Sequence, residues 1–214
     1  MIYFAYGSNM CTGRLRERVP SATPVRIAKL LNHSLRFHKR SDDRSGKCDA
    51  YFTGIQEDVV LGVVFEIDPA EKPCLDKHEG LGHGYAEKQI TVIDLGGAHH
   101  RTFMYAAVET HIDPLLYPYS WYKRFVLKGA VQQGLPNEYI AAIKATPHIE
   151  DPRQKSRRDE SSHLLLKPRA VAAPTSLAPN HTPSQKPSHL PAQCYADSDS
   201  RLGSPSSLSF FALH

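Results

Sequence analysis

The chain lacks the patterns that assign most proteins quickly. No apolar run in its 214 residues approaches the roughly 18 that a membrane helix needs, and mean hydropathy is −0.41. Met1 leads straight into a strand-like run without the basic and apolar regions of a secretory leader, so none is expected. Four cysteines (Cys11, Cys48, Cys74, Cys194) show no CxxC spacing. They read as reduced thiols of a cytoplasmic protein, without a nucleophile or metal motif. G-x-G-x-x-G, Gly-Lys-Ser/Thr and G-x-S-x-G are all missing, which argues against a dinucleotide, triphosphate or nucleophile-elbow site. Twelve histidines form no zinc motif: in His78-Glu79-Gly80-Leu81-Gly82-His83 the gap is five, and glycines break the helix such a motif needs. No metal and no cofactor are expected.

Charge of one sign is scarce where a fold is expected. Through Pro152, 18 Lys+Arg face 18 Asp+Glu; from Arg153 onward the count is 8 against 4. The net +4 therefore belongs to the C-terminal part. A neutral body argues against a phosphate-binding face, so neither nucleic acid nor membrane is an expected partner. Eight of 16 prolines lie from Pro152 to Pro205, with many serines and only three aromatics (Tyr195, Phe210, Phe211). Such a segment buries too little apolar surface to offset its ordering entropy. The division expected is a folded domain over 1–150 and a Pro/Ser-rich disordered tail over 151–214, with one frayed helical turn at Ser161–Leu166.

The body reads as α+β. Strands are expected at Ile2–Tyr6, Val25–Leu31, Ser34–Arg40, Ala50–Gln56 and Leu61–Ile67, the last two as a hairpin around Glu57-Asp58. A short helix through Arg14–Arg18 is expected, capped by Asn9 or Thr12. Asp68-Pro69-Ala70-Glu71 supplies an N-cap, Pro at N1 and a first-turn acid, predicting a helix to about Glu79 that Gly80 ends. Tyr85–Asp94 and Arg101–Val108 pair across Gly96-Gly97. Ser120–Gln132, with Gly134 behind it, and Pro136–Ala145 carry helical spacing. The picture is a small mixed β-barrel or sheet with flanking helices.

Two places invite chemistry. Tyr6-Gly7-Ser8-Asn9 breaks the first strand as it ends; taken alone it reads as an ordinary turn, with a binding loop as the alternative. Glu79 closes a helix at the edge of a glycine-rich loop, where the helix dipole disfavours a carboxylate; burial beside Leu81 and Tyr85 would disfavour it further, and an exposed surface glutamate is the alternative reading. Such a carboxyl can exchange protons with a substrate. Asp76 and Glu87 compete for that role and read as solvated surface residues.

Taken together, these stretches resemble the γ-glutamylcyclotransferase (AIG2-like) family. Tyr3-Phe4-Ala5-Tyr6-Gly7-Ser8-Asn9-Met10 is similar to its substrate loop, and Leu61–Ile67 to a shared strand. Leu75-Asp76-Lys77-His78-Glu79-Gly80, followed by Tyr85, is similar to the segment with the catalytic Glu. Pro118–Lys123 and Gly134–Tyr139 resemble its helical portion, so the likeness covers about 1–147 in collinear order.

The resemblance implies intramolecular cyclisation of a γ-glutamyl amino acid to 5-oxoproline, with release of the amino acid. Glu79 would be the general acid/base, and Tyr3, Phe4, Ala5, Tyr6, Gly7, Ser8, Asn9, Tyr85 and Tyr122 would form the substrate site. Backbone N–H groups of Gly7 and Ser8 would bind a carboxylate or oxyanion, and Tyr6, Tyr85 and Tyr122 would donate hydroxyls. Phe103 stands where some members have Tyr, so that hydroxyl contact is either missing or supplied by Tyr105. The implied partner is a small-molecule γ-glutamyl substrate; a homodimer stays open. Two alternatives accompany this reading: a γ-glutamylamine cyclotransferase, and a non-catalytic binding module of the same fold.

Overall fold

Seven strands and four α-helices make up the computed structural model of the protein, which describes residues 1–153. The expectation of a disordered tail, with its helical turn at Ser161–Leu166, lies outside the described residues apart from the first three.

Strand β1 (Ile2–Ala5) lies between two partners. On one side β5 (Val59–Glu66) runs antiparallel, with Phe4 opposite Val64 and Ala5 opposite Val63. On the other, β7 (His99–Ala107) runs parallel, meeting β1 at the single register pair Tyr3 and Phe103. Strand β2 (Thr23–Leu31) joins β5 to β6 (Tyr85–Asp94), and β6 pairs with β7 from Tyr85–Ala107 to Ile93–His99. The order β1-β5-β2-β6-β7 closes into a barrel. Its strands bury β-branched and aromatic side chains on both faces, among them Phe4, Val60 and Val64 on one and Val63 and Phe65 on the other. The expected α+β fold with a small mixed barrel is what the chain forms.

Two expected details fail. The hairpin of Ala50–Gln56 with Leu61–Ile67 does not exist; β4 (Gly46–Phe52) pairs instead with β3 (His33–Arg40) in a separate two-stranded sheet. The short turn between β3 and β4 decides this. Asp43 Oδ1 accepts hydrogen bonds from the Ser45 backbone N–H at 3.0 Å and its hydroxyl at 2.7 Å, closing the loop locally. The Glu57-Asp58 stretch turns too, but bonds back to the β2–β3 junction through His33 N–H to the Asp58 carbonyl. The early helix α1 covers Thr12–Arg16 rather than Arg14–Arg18, and neither Asn9 nor Thr12 caps it.

The other helices follow their sequence signals. Asp68 Oδ1 accepts from Ala70 N–H at 2.8 Å and caps a 3₁₀ turn, Pro69–Glu71, that feeds α2 (Lys72–Glu79). Gly80 ends α2 in the left-handed region, φ +68. Helix α3 (Ser120–Gln132) lies across the turn Ser8–Met10, and α4 (Asn137–Ala145) packs beside it. The α3 contact is backbone-close at Gly129, where a Cβ would fall 2.5 Å from the Cys11 nitrogen and 2.6 Å from the Met10 carbonyl carbon. Only glycine allows the helix to approach the loop so nearly. No helix among the described residues is long and apolar enough to cross a membrane.

Candidate active site

The break at the end of β1 forms one wall of a cavity. Tyr3, Tyr6, Gly7, Ser8, Asn9, Cys48, Glu79, Tyr85, Tyr105 and Tyr122 line it, around about 280 Å³ of space counting the opening to solvent. Six elements contribute: β1 with its loop, β4, the end of α2, the start of β6, the end of β7 and the first turn of α3. Eight of the ten expected residues thus come together. Phe4 and Ala5 do not: both are fully buried, with Phe4 stacking near Val64 on the strand and packing into the barrel. They hold β1 in place rather than touching the cavity.

Glu79 sits at the end of α2 with 16% of its side chain exposed. Oε1 accepts two hydrogen bonds, from Arg18 at 2.8 Å and from Asn9 Nδ2 at 2.9 Å. Arg18 also donates to Asn9 Oδ1 at 3.1 Å, and Asn9 Nδ2 reaches Tyr3 Oη at 3.1 Å. The three side chains form a closed triangle that fixes the carboxyl. Arg18 therefore supplies the positive charge that the C-terminal end of a helix withholds. Oε2 takes no hydrogen bond among the described residues, which leaves one oxygen of a cavity-lining carboxylate for a ligand.

The tyrosines depart from expectation in direction. Tyr6 donates to the Tyr105 carbonyl, and Tyr85 to the Cys48 carbonyl at 2.5 Å. Buried hydroxyls must find acceptors, so these two wall the cavity with their oxygens as acceptors rather than donating into it. Tyr122 Oη accepts from Cys48 N–H at 3.1 Å. Burial raises the pKa of Tyr3, Tyr6, Tyr85 and Tyr122 above the usual tyrosine range, so all four stay protonated. Burial likewise pushes the Cys48 thiol up to about 12, which rules it out as a nucleophile at neutral pH. Cys11 and Cys48 are free, as expected.

Tyr105 takes the place anticipated for it on the cavity wall, but its hydroxyl donates to Asp76 Oδ1 at 2.5 Å. Asp76 also bonds Lys72, which reaches Glu87 at 2.8 Å. Asp76 is thus half-buried in a network behind Tyr105 rather than a solvated surface acid, whereas Glu87 is exposed, as expected, and pairs with Lys72.

The loop offers donors. Among the described residues no acceptor meets the backbone N–H of Gly7, Ser8 or Asn9, although the Gly7 and Ser8 carbonyls are used by Met10 and Cys11. Arg14 Nε donates to Ser8 Oγ at 3.3 Å. Arg18 escaped the sequence reading, as did Cys48. A signal for the arginine existed: Arg14 and Arg18 are spaced i, i+4 and fall on one side of a helical turn, the side facing the loop. Nothing in the sequence pointed to Cys48. No cluster of three or more His, Cys, Asp or Glu suited to a metal occurs among the described residues.

Known proteins resemble this chain in sequence and in fold. The AIG2-like family pattern matches residues 59–143. The chain is 33% identical to the γ-glutamylcyclotransferase of Bos taurus over 170 residues, covering 78% of this chain and 87% of that one. It is 31% identical to the Homo sapiens γ-glutamylcyclotransferase over 148 residues, covering 67% and 77%. A solved structure of a γ-glutamyl cyclotransferase superimposes with a TM-score of 0.64 at 26% identity, over 74% of this chain and 98% of that one. A relative 33% identical, matched over most of both chains, together with a shared barrel shows the family: the chain belongs to the γ-glutamylcyclotransferase family of enzymes.

Proposed function

We propose that the chain cyclises γ-glutamyl amino acids to 5-oxoproline and the free amino acid, with Glu79 as general base and then general acid. The observation that carries the reading is the Glu79 carboxylate, fixed through Oε1 by Arg18 and Asn9, in a cavity whose other walls are tyrosines and unmet backbone N–H groups.

The chemistry needs few parts. At neutral pH the substrate α-amine is an ammonium. Oε2 of Glu79 takes one proton, and the freed nitrogen attacks the γ-carbonyl carbon. The C–N bond to the departing amino acid then breaks while Glu79 returns the proton to the leaving nitrogen. A second proton leaves the new ring nitrogen and ends on the released amine, so one ammonium is lost and one formed. Both reacting groups belong to one molecule, which leaves the protein to hold the bent conformer and meet the developing oxyanion. The free N–H groups of Gly7 and Ser8 suit the oxyanion or the α-carboxylate, and the tyrosine oxygens suit the ammonium. Neutral Cys48 fills space beside them.

Measuring 5-oxoproline release from a small panel of γ-glutamyl compounds tests the reading. Turnover of γ-Glu-Ala is the expected result. A folded protein that releases no 5-oxoproline from any member would overturn it and favour the binding-module alternative.

A further inference from the structure

A β-bulge sets up an unusual lysine. Arg36 of β3 stands opposite Asp49, yet Lys39 stands opposite Lys47, so three steps on β3 match two on β4. The extra residue turns Phe37, His38 and Lys39 inward together, and all three are buried. Lys39 is 8% exposed. Its Nζ lies 4.7 Å from the centre of the Tyr85 ring, which lines the cavity. Its Cε and Nζ lie 2.7 and 2.9 Å from where a Cβ would stand on Gly84, at φ +140. Gly84 ends the loop that runs from Glu79 to Tyr85, so the chain leaves room for this ammonium at the edge of the site.

Lys39 differs from the other cations nearby. Arg18 is paired with Glu79, Lys47 with Asp43 at 2.6 Å, and Lys72 with Asp76 and Glu87. Arg14 donates to Ser8. Lys39 Nζ alone of these five has neither a hydrogen bond nor an ion pair among the described residues; its recorded contact is the Tyr85 ring. Burial pulls its pKa below the usual lysine range, while Asp42, Glu79 and Asp43 pull back from beyond ion-pair distance. A buried cation without an anion is costly. An anionic ligand group beside Tyr85 would offset that cost.

A γ-glutamyl amino acid carries two carboxylates. The one on the glutamyl head travels with the reacting amine and belongs near Glu79, the Gly7-Ser8 amides and Arg14. The other sits on the departing amino acid, on the far side of the scissile amide. We propose that Lys39 binds this second carboxylate, making it the residue that selects γ-glutamyl amino acids over γ-glutamyl amines. The proposal rests on the cyclotransferase reading above and names the substrate class within it.

The test uses the full chain and three substrates: γ-Glu-Ala, γ-Glu-alaninamide, which keeps the shape and loses the charge, and γ-glutamyl-ethylamine. A charge-assisted contact in a partly dry site predicts roughly a tenfold to hundredfold higher kcat/KM for γ-Glu-Ala than for its amide, carried mainly by KM. Lys39→Met should collapse that ratio to near one, and Lys39→Arg should restore part of it. Equal kcat/KM on γ-Glu-Ala and γ-Glu-alaninamide in the unmutated protein overturns the proposal, whether or not the Met variant folds. A Met variant that slows both substrates alike gives Lys39 a structural role and also overturns it. No turnover of any of the three overturns the cyclotransferase reading itself, a result distinct from turnover without discrimination.

Discussion

Replacing Glu79 with glutamine separates chemistry from structure at the candidate site. Glutamine keeps the shape, and its amide oxygen can still accept from Arg18 and Asn9, which now reach Oε1 at 2.8 and 2.9 Å. It loses the charge and the basic oxygen. The Arg18 and Glu79 side chains are 13% and 16% exposed, between a surface pair worth about 0–1 kcal/mol and a buried one that costs about 3–5 kcal/mol to break. A destabilisation of about 1–2 kcal/mol follows. For a domain of this size that lowers Tm by roughly 2–8 °C, which leaves the protein folded at 25 °C. Loss of an acid–base group lowers kcat by about 10² or more, which is about 3 kcal/mol of barrier. The assay pairs 5-oxoproline release with a thermal melt on the same sample. A cooperative melt with kcat within threefold of the parent would refute the role given to Glu79. A loss of activity that tracks a loss of folded protein would refute the separation.

Three further outcomes follow from the packing. Gly129→Ala places a methyl 2.5 Å from the Cys11 nitrogen; it should destabilise by about 1–3 kcal/mol and slow turnover by shifting the Ser8–Met10 loop. Alanine ordinarily favours a helix over glycine by about 1 kcal/mol, so a raised Tm would show that the close contact is absent. Cys48, with its thiol near 12, exposes about one thiolate in ten thousand molecules at pH 8. Peptide mapping should find it unmodified by iodoacetamide in the folded protein, and rapid labelling would contradict its burial. Asp94 is held down from the ordinary 3.8 to about 2, chiefly by His100 and then by Ala98 N–H. A depressed carboxyl stabilises above its unfolded pKa and loses that contribution as pH falls through its folded one. The Tm gap between the parent and Asp94→Asn should therefore shrink between about pH 4 and pH 2; a gap that persists at pH 2 would contradict it.

What the sequence made legible was local. Helix α2 announces itself through Asp68, Pro69 and Gly80, and its end delivers Glu79 to a loop edge without help from distant residues. Helix α3 and the β6–β7 hairpin carry their own periodicity and turn. The failures are all questions of partner. Alternation marks Ala50–Phe52 as strand but cannot say that β3, not β5, lies beside it. Burial of Tyr6 and Tyr85 was readable, yet the direction of their hydroxyls depends on carbonyls 99 and 37 residues away. Arg18 meets Glu79 across 61 residues, a separation over which spacing carries no signal. Phe4 and Ala5 came with the motif, but both are fully buried in packing on the two opposite faces of β1.

The parallel pair of Tyr3 with Phe103 has a consequence for the order of assembly. The barrel's first strand and its last meet there, with about a hundred residues of chain between them. Closing so long a loop is entropically slow and is rewarded only when the final strand arrives. Tyr3 and Tyr6 stand on one side of this seam and Tyr105 on the other, with Tyr6 hydrogen-bonded across it to the Tyr105 carbonyl. During synthesis the Tyr6–Asn9 loop therefore exists without a pocket until the strand carrying Tyr105 follows. The cavity therefore needs the sealed barrel as well as Tyr122 of α3 and Cys48 of β4, so its appearance reports that barrel, second sheet and helix have all come together.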